Sequence, residues 1–112
     1  IALDPGKDLA WHILGLWHQR LADVGVFTRT MAKLAYGGVP PATNDDALRC
    51  FQTAIKLNPD RLIHYIELGR TYAQMGQAED ARRFIEKGLS MPDAGKDDAE
   101  IKRRGRETME KL

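Results

Sequence analysis

The sequence predicts an all-α fold in which antiparallel helix pairs stack into a right-handed superhelix. The main observation is an internal repeat: Leu-Asp-Pro at residues 3–5 recurs as Leu-Asn-Pro at residues 57–59. After each tripeptide comes a similar run, Trp-His-Ile-Leu-Gly at residues 11–15 and Tyr-Ile-Glu-Leu-Gly at residues 65–69. Both runs keep the same offset from their tripeptide, so the two copies are in register. Self-similarity of this kind is typical of stacked helical arrays.

The second copy follows the tetratricopeptide-repeat (TPR) pattern of about 34 residues. Tyr65, Leu68 and Tyr72 share one helical face because they are three and four positions apart. Gly69 permits close approach of a second helix, and Gly76 is placed as a helix C-cap. We therefore predict a TPR-like helix pair over residues 61–93.

The first copy, over residues 6–60, carries an insertion. Its second-helix signature of small, aromatic, small and proline residues falls at Ala47, Phe51, Ala54 and Pro59, about 20 residues later than a repeat of about 34 residues would place it. The insertion, at about residues 23–41, has apolar residues at helical spacing and predicts an inserted helical segment.

The two ends of the chain lie outside the two repeats. Residues 1–5 are predicted to be the end of a preceding repeat, and the chain, which has no initiator methionine, is interpreted as part of a longer protein. Residues 96–112 are predicted to form a C-terminal capping helix, with acidic residues at its start and basic residues after them, as the helix dipole favours.

The composition argues against nucleic-acid binding and against a membrane-spanning segment. A net charge of +1 gives no bulk electrostatic reason to expect nucleic-acid binding. No apolar run reaches the roughly 18 residues that a membrane-spanning helix needs, so no transmembrane segment is predicted. The single cysteine, Cys50, has no partner for an internal disulfide, which suits the cytoplasm.

No residue pattern predicts catalysis, a cofactor or a metal site. Ser90 is the only serine and lacks a glycine-rich nucleophile turn. Cys50 is interpreted as a small packing residue. His12 and His18 lie about 240° apart around a helix, and together with His64 they are interpreted as three unrelated histidines. The chain is therefore predicted to be non-enzymatic.

Two surfaces are candidates for partner binding. TPR arrays bind ligands on the concave face formed by their first helices. The register places there Leu9, His12, Leu16, Gln19, Arg20, Ile63, Ile66, Arg70 and Gln74. The second surface is a basic cluster near the C-terminus, formed by Lys102, Arg103, Arg104 and Arg106. It is interpreted either as a solvated helix face or as a site for an acidic partner, such as the glutamate-rich tails of tubulin or anionic lipid headgroups.

Several segments together resemble the regulator of microtubule dynamics family. They are Ile-Leu-Gly-Leu-Trp at residues 13–17, Phe-Thr-Arg at 27–29, Pro-Pro-Ala-Thr at 40–43 and Leu-Gly-Arg-Thr-Tyr at 68–72. The resemblance covers essentially the whole chain, and the inserted segment ending in Pro-Pro is its most specific part.

This resemblance implies a cytosol-facing TPR scaffold that is associated with microtubules and the spindle. Some relatives are anchored at mitochondria or the endoplasmic reticulum, and the TPR region of one of them binds phospholipid. The first functional hypothesis is therefore a protein-interaction scaffold with tubulin or microtubules as partner. The alternative is a lipid-binding or membrane-contact module, in which the insertion with Leu16, Trp17, Ile63 and Ile66 encloses an apolar pocket.

Overall fold

The computed structural model describes residues 7–23 and 44–112, and all regular secondary structure in these two ranges is α-helical. The helices are α1 (Lys7–Asp23), α2 (Asn44–Leu57), α3 (Leu62–Gln74), α4 (Ala78–Ser90) and α5 (Asp98–Glu110). The all-α prediction is confirmed. The predicted preceding-repeat end lies outside the described residues, as does the predicted insertion apart from its first residue.

A tight glycine turn joins α3 to α4. Gly76 has a φ of 80°, a conformation that glycine adopts at no steric cost. The amide of Gln77 donates to the carbonyl of Tyr72 at 2.9 Å, which satisfies a carbonyl at the helix end. Met75 is the C-cap residue itself, and Gly76 follows it as the glycine that ends the helix.

Helices α3 and α4 pack closely as an antiparallel pair. Gly69 of α3 faces Ala81 and Ile85 of α4. Gly88, later in α4, faces Leu62 and Ile66, which come earlier in α3. The two helices therefore run in opposite directions. The two glycines remove the side chains that would hold the helices apart. The predicted close approach at Gly69 is therefore present.

Replacing Gly69 with alanine is expected to lower the free energy of unfolding by about 1.5 kcal/mol, because the new methyl group overpacks the helix interface. A Cβ there would lie 2.6 Å from Cγ1 of Ile85 and 2.8 Å from the carbonyl oxygen of Ala81, and this backbone atom has little room to move. The control is Gly105→Ala, whose Cβ would lie 3.0 Å from Cγ2 of Ile66 and 3.3 Å from Cγ2 of Ile85, with no backbone atom among its close contacts. Urea denaturation of both variants measures the difference, and equal losses would contradict this account of Gly69.

The core forms where α1, α2 and α3 meet. Ala47, Phe51 and Leu68 are at most 1% exposed and form its centre. Gly15 of α1 lies against the Phe51 ring, where a Cβ would come within 2.8 Å of Cε1. Leu16 packs on the edge of this cluster. These contacts hold α1 beside α3 and set the geometry between them.

Helix α5 lies over α3 and α4, close to the prediction of a helix at about residues 96–112. Gly105 of α5 sits against Ile66 and Ile85. The helix start is held by Asp98, which is 5% exposed and accepts hydrogen bonds of 2.7 Å from the amides of Ala94 and Gly95. The connection between α4 and α5 is thereby fixed by a buried carboxylate.

Candidate functional site

Helix α1 turns its polar residues toward the rest of the protein. Asp8, His12 and Gln19 are only 2%, 6% and 7% exposed. Four of its large apolar residues point outward: Trp11, Ile13, Leu14 and Trp17 are 39–66% exposed. A buried polar side chain is costly unless it is hydrogen-bonded, so the partners of these three residues on the α3 side explain how α1 is held. We call the buried polar contacts between α1 and α3 the polar seam.

The first half of the polar seam is a hydrogen-bonded group of four side chains. The Asp8 carboxylate accepts from Nε of Arg61 and lies 2.7 Å from Nε2 of His64. Nδ1 of His64 is in turn 2.9 Å from Nδ1 of His12. Burial acts to raise the pKa of Asp8, but the hydrogen bonds from His64 and Arg61 outweigh it, so this pKa lies below its ordinary value.

The ionised Asp8 determines the tautomers of both histidines. Since a carboxylate only accepts, Nε2 of His64 carries the proton and donates to Asp8. The Nδ1 atom of a neutral His64 is then an acceptor, so Nδ1 of His12 donates to it. Burial lowers the pKa of His12 to about 3 and also lowers the pKa of His64, although Asp8 acts in the opposite direction. Both rings are therefore neutral at pH 7.

The sequence interpretation of three unrelated histidines was wrong for His12 and His64, which are direct partners. Their contact is a hydrogen bond between ring nitrogens and leaves no space for a metal ion between them. Within the two described ranges, no cluster of three or more histidine, cysteine, aspartate or glutamate side chains has the arrangement of a metal site. Nor does any described serine or cysteine form a hydrogen bond with either ring.

The second half of the polar seam centres on Glu67, which is 1% exposed. Nη1 of Arg70 donates to both of its carboxylate oxygens at 3.0–3.1 Å, and Nε2 of Gln19 donates to Oε1 at 3.2 Å. The same Gln19 nitrogen lies 2.9 Å from the hydroxyl of Thr71. Gln74 completes the seam by donating to the backbone carbonyl of Gln19 at 2.8 Å.

Beside this half of the seam lies a groove of about 370 Å³ that is open to solvent. Three structural elements contribute to it: α1, α3 and the C-terminal end of the chain around α5. Its lining residues are Gln19, Arg70, Ala73, Gln74, Thr108, Lys111 and Leu112. Nε of Arg70 donates to the hydroxyl of Thr108 at 3.3 Å, which links α3 to α5 across the groove.

The residues predicted for the concave face differ in their burial and in their position in the structure. Gln19, Arg70 and Gln74 come together in the groove, and Arg20 is exposed. Leu9, Leu16 and Ile63 are half-buried. His12 and Ile66 are buried, His12 in the polar seam and Ile66 against Gly88 and Gly105, so neither presents a surface to a partner.

The sequence reasoning did not identify Thr108 and Lys111 as groove residues. They belong to the last helix and the residue after it, more than 30 positions from Arg70 and Gln74. The assignment of a capping helix gave the only signal, and it did not indicate which face of that helix reaches the groove.

Three of the four residues in the basic cluster are paired within the chain. Lys102 lies 2.7 Å from Asp93, and Arg103 and Arg104 lie 2.7 and 3.0 Å from Glu100. The hydrogen bonds from Arg103 and Arg104 lower the pKa of Glu100 to about 2. Arg106 is exposed and forms no ion pair with any residue in the described ranges.

Of the apolar residues suggested for a lipid pocket, Leu16 and Ile66 lie in different parts of the described structure, and nearly all of the insertion lies outside the described residues. Leu16 packs on the core cluster around Phe51, whereas Ile66 is enclosed by α4 and α5. Trp17 is 46% exposed, with its ring edge-on to that of His18. None of the helices in residues 7–23 and 44–112 combines the length and the apolar character that crossing a bilayer requires.

Comparison with known proteins agrees with the resemblance in the sequence. The family model described as regulator of microtubule dynamics protein 1-3 matches residues 1–112. The chain is 28% identical over 101 residues to regulator of microtubule dynamics protein 1 of Caenorhabditis elegans, covering 90% of this chain and 45% of that protein. It is 26% identical over 102 residues to protein 1 of Mus musculus, covering 90% of this chain and 33% of the relative.

The chain is also similar, over its whole length, to a relative named as protein 2 instead of protein 1. Regulator of microtubule dynamics protein 2 of Macaca fascicularis is 25% identical over 113 aligned positions, covering 100% of this chain and 28% of that protein. The chain thus spans less than half the length of these curated relatives. Since the family model matches from the first residue to the last, the chain belongs to the regulator of microtubule dynamics family.

Proposed function

We propose that this chain is a non-catalytic, TPR-type scaffold that binds a protein partner, and that the partner is the microtubule. The observation that carries the proposal is the full-length family match, since the matched relatives are named as regulators of microtubule dynamics. The helix pair α3–α4 and the groove beside α1 supply the kind of surface on which helical arrays bind other proteins. A cytoplasmic, cytoskeleton-associated location follows from this proposal.

The non-catalytic part of the proposal is supported by the environment of the histidine chain. His64 is fully buried and His12 is 6% exposed, so a substrate has no access to these two rings. Their hydrogen bonds are used to connect α1 to α3. A scaffold role for the polar seam explains this arrangement without a reaction.

The test is co-sedimentation of the purified chain with microtubules, alongside flotation with vesicles of phosphatidylcholine and phosphatidylserine, over a range of salt concentrations. Binding to microtubules that weakens with salt and spares the vesicles supports the proposal. Binding to the vesicles alone would replace it with the lipid-binding or membrane-contact alternative. Binding to neither would overturn the microtubule assignment.

Within this proposal, Arg106→Glu is expected to weaken microtubule binding about fivefold at low salt, because Arg106 is the cluster cation whose charge is not balanced by a neighbour in the described residues. The matched control is Lys56→Glu, the same charge reversal at an exposed position on α2. Equal binding of the two variants, or unchanged binding to microtubules without their acidic tails, would contradict an electrostatic contact through the basic cluster.

A further inference from the structure

The groove beside the polar seam has a one-sided charge distribution. Its lining includes two cationic side chains, Arg70 and Lys111, and no acidic side chain. Gln19, Gln74 and Thr108 supply polar walls, and Ala73 and Leu112 supply apolar ones. Its volume of about 370 Å³ is at the small end of the range for ligand sites, roughly 300 to 1,000 Å³.

Arg70 is held in position by neighbours that use only part of its guanidinium. Nη1 donates to Glu67 and Nε donates to Thr108. Nη2, with two N–H donors, has no acceptor among residues 7–23 and 44–112. A guanidinium held by a carboxylate on one side pays less conformational entropy when it binds a ligand on the other.

Lys111 supplies the second positive charge. It is exposed and forms no ion pair in the described parts of the chain. Because the buried carboxylate of Glu67 balances the charge of Arg70, Lys111 is the one cationic side chain of the lining without a balancing side chain in the described residues. The balance favours a monoanion over a phosphate dianion.

We infer that the groove binds a single side-chain carboxylate, presented by an aspartate or glutamate of a peptide partner. The carboxylate accepts from Nη2 of Arg70, and the ammonium of Lys111 balances its charge. The groove is open, so the peptide continues beyond it on both sides, and its methylene groups contact Ala73 and Leu112. This inference rests on the proposed scaffold function and specifies the chemistry of the partner.

The experiment titrates the nitrogen-15-labelled chain with the blocked peptide acetyl-Gly-Glu-Gly-amide, which carries one side-chain carboxylate, and follows the titration by heteronuclear NMR. We expect shifts in the side-chain amide signals of Gln19 and Gln74 and in the backbone amide of Lys111. Lys111→Gln is expected to raise the Kd about fivefold at low salt, since one unit charge is removed from the site. The matched control Lys56→Gln, at an exposed position on α2, leaves the Kd unchanged.

Two further peptides identify the source of the carboxylate. The blocked peptide with glutamine in place of glutamate should cause no saturating shifts in the groove. A glutamine peptide with a free C-terminus should bind at least fivefold more weakly than the glutamate peptide. The inference would be overturned if either glutamine peptide bound as tightly as the glutamate peptide. Shifts confined to other surfaces, or an unchanged Kd for Lys111→Gln, would also overturn it.

Failure of this inference can be told apart from failure of the proposed function. If the chain pellets with microtubules but the glutamate peptide leaves the groove signals unchanged, the scaffold proposal stands and the groove assignment is overturned. If the peptide binds the groove and microtubules do not pellet the chain, the groove assignment stands and the microtubule proposal fails.

Discussion

Arg70→Ala is expected to lower the free energy of unfolding by about 3 kcal/mol, because it leaves the carboxylate of Glu67 buried without its cation. The Glu67 side chain is 1% exposed, and Arg70 donates two hydrogen bonds to its carboxylate. Arg70 itself is 30% exposed, which keeps the loss at the low end of the range for broken buried ion pairs. Chemical denaturation followed by circular dichroism measures the effect.

The chain offers a control with the same sequence spacing. Arg83 pairs with Asp80 at i, i+3, as Arg70 pairs with Glu67, but the two side chains are 68% and 41% exposed. Arg83 also lies over the Phe84 ring, 4.7 Å from its centroid, so Arg83→Ala should cost about 1 kcal/mol. Adding Glu67→Gln to Arg70→Ala should recover a large part of the lost stability, since a neutral amide is less costly to bury than a carboxylate. Similar losses for Arg70→Ala and Arg83→Ala would show that the polar seam does not depend on this pair.

Lowering the pH from 7 to 5 is expected to destabilise the fold by about 2 kcal/mol through His12 alone, with His64 adding a loss of the same sign. Burial lowers the pKa of His12 from 6.5 to about 3, so the unfolded chain binds a proton at pH 5 and the folded chain does not. The stability conferred by the neutral ring is complete above pH 6.5 and is lost as the pH falls from there toward 3. The charges that face the two rings are Asp8 and Arg61.

The measurement is the free energy of unfolding from pH 8 to pH 4.5, with the histidine ring signals followed by NMR. His12→Gln is the informative variant, because its amide can still donate to Nδ1 of His64 but does not titrate. It should flatten the dependence on pH below 6.5, leaving the part that comes from His64. A free energy of unfolding that stays constant between pH 7 and pH 5 would contradict the neutral histidine pair.

The repeat spacing and the glycine positions were sufficient to predict helices α3 and α4 and their pairing. Tyr65, Leu68 and Tyr72 indicate a packed helix through spacing alone, and Gly69 and Gly76 mark the contact and the turn. These features involve neighbouring helices joined by a short connection, so local sequence carries most of the information. The pairing of Arg103 and Arg104 with Glu100 was also visible as i, i+3 and i, i+4 spacing, although the cluster was interpreted from its cations alone.

The orientation of α1 was decided by the tertiary structure. An apolar stripe of Trp11, Leu14 and Trp17 would ordinarily be assigned to the core, yet these side chains are 39–46% exposed while Asp8, His12 and Gln19 are buried. The buried side is stabilised by hydrogen bonds to partners about 50 positions away, His64 and Glu67 among them. Periodicity reports which residues share a helix face, but it does not report what the opposite helix offers them.

The groove likewise combines residues that the sequence predicted with residues that only the packing of the helices brings there. The register of the repeat predicted that Gln19, Arg70 and Gln74 lie on one surface, and the structure brings them together. The contribution of Thr108 and Lys111 depends on how α5 crosses α3, which is set by the contact of Gly105 with Ile66 and by the link from Arg70 to Thr108. Local sequence determined the helices and the faces of this family member, whereas packing between distant helices decided which polar groups meet, because hydrogen bonds and ion pairs act only between atoms that the fold has already brought within about 3 Å.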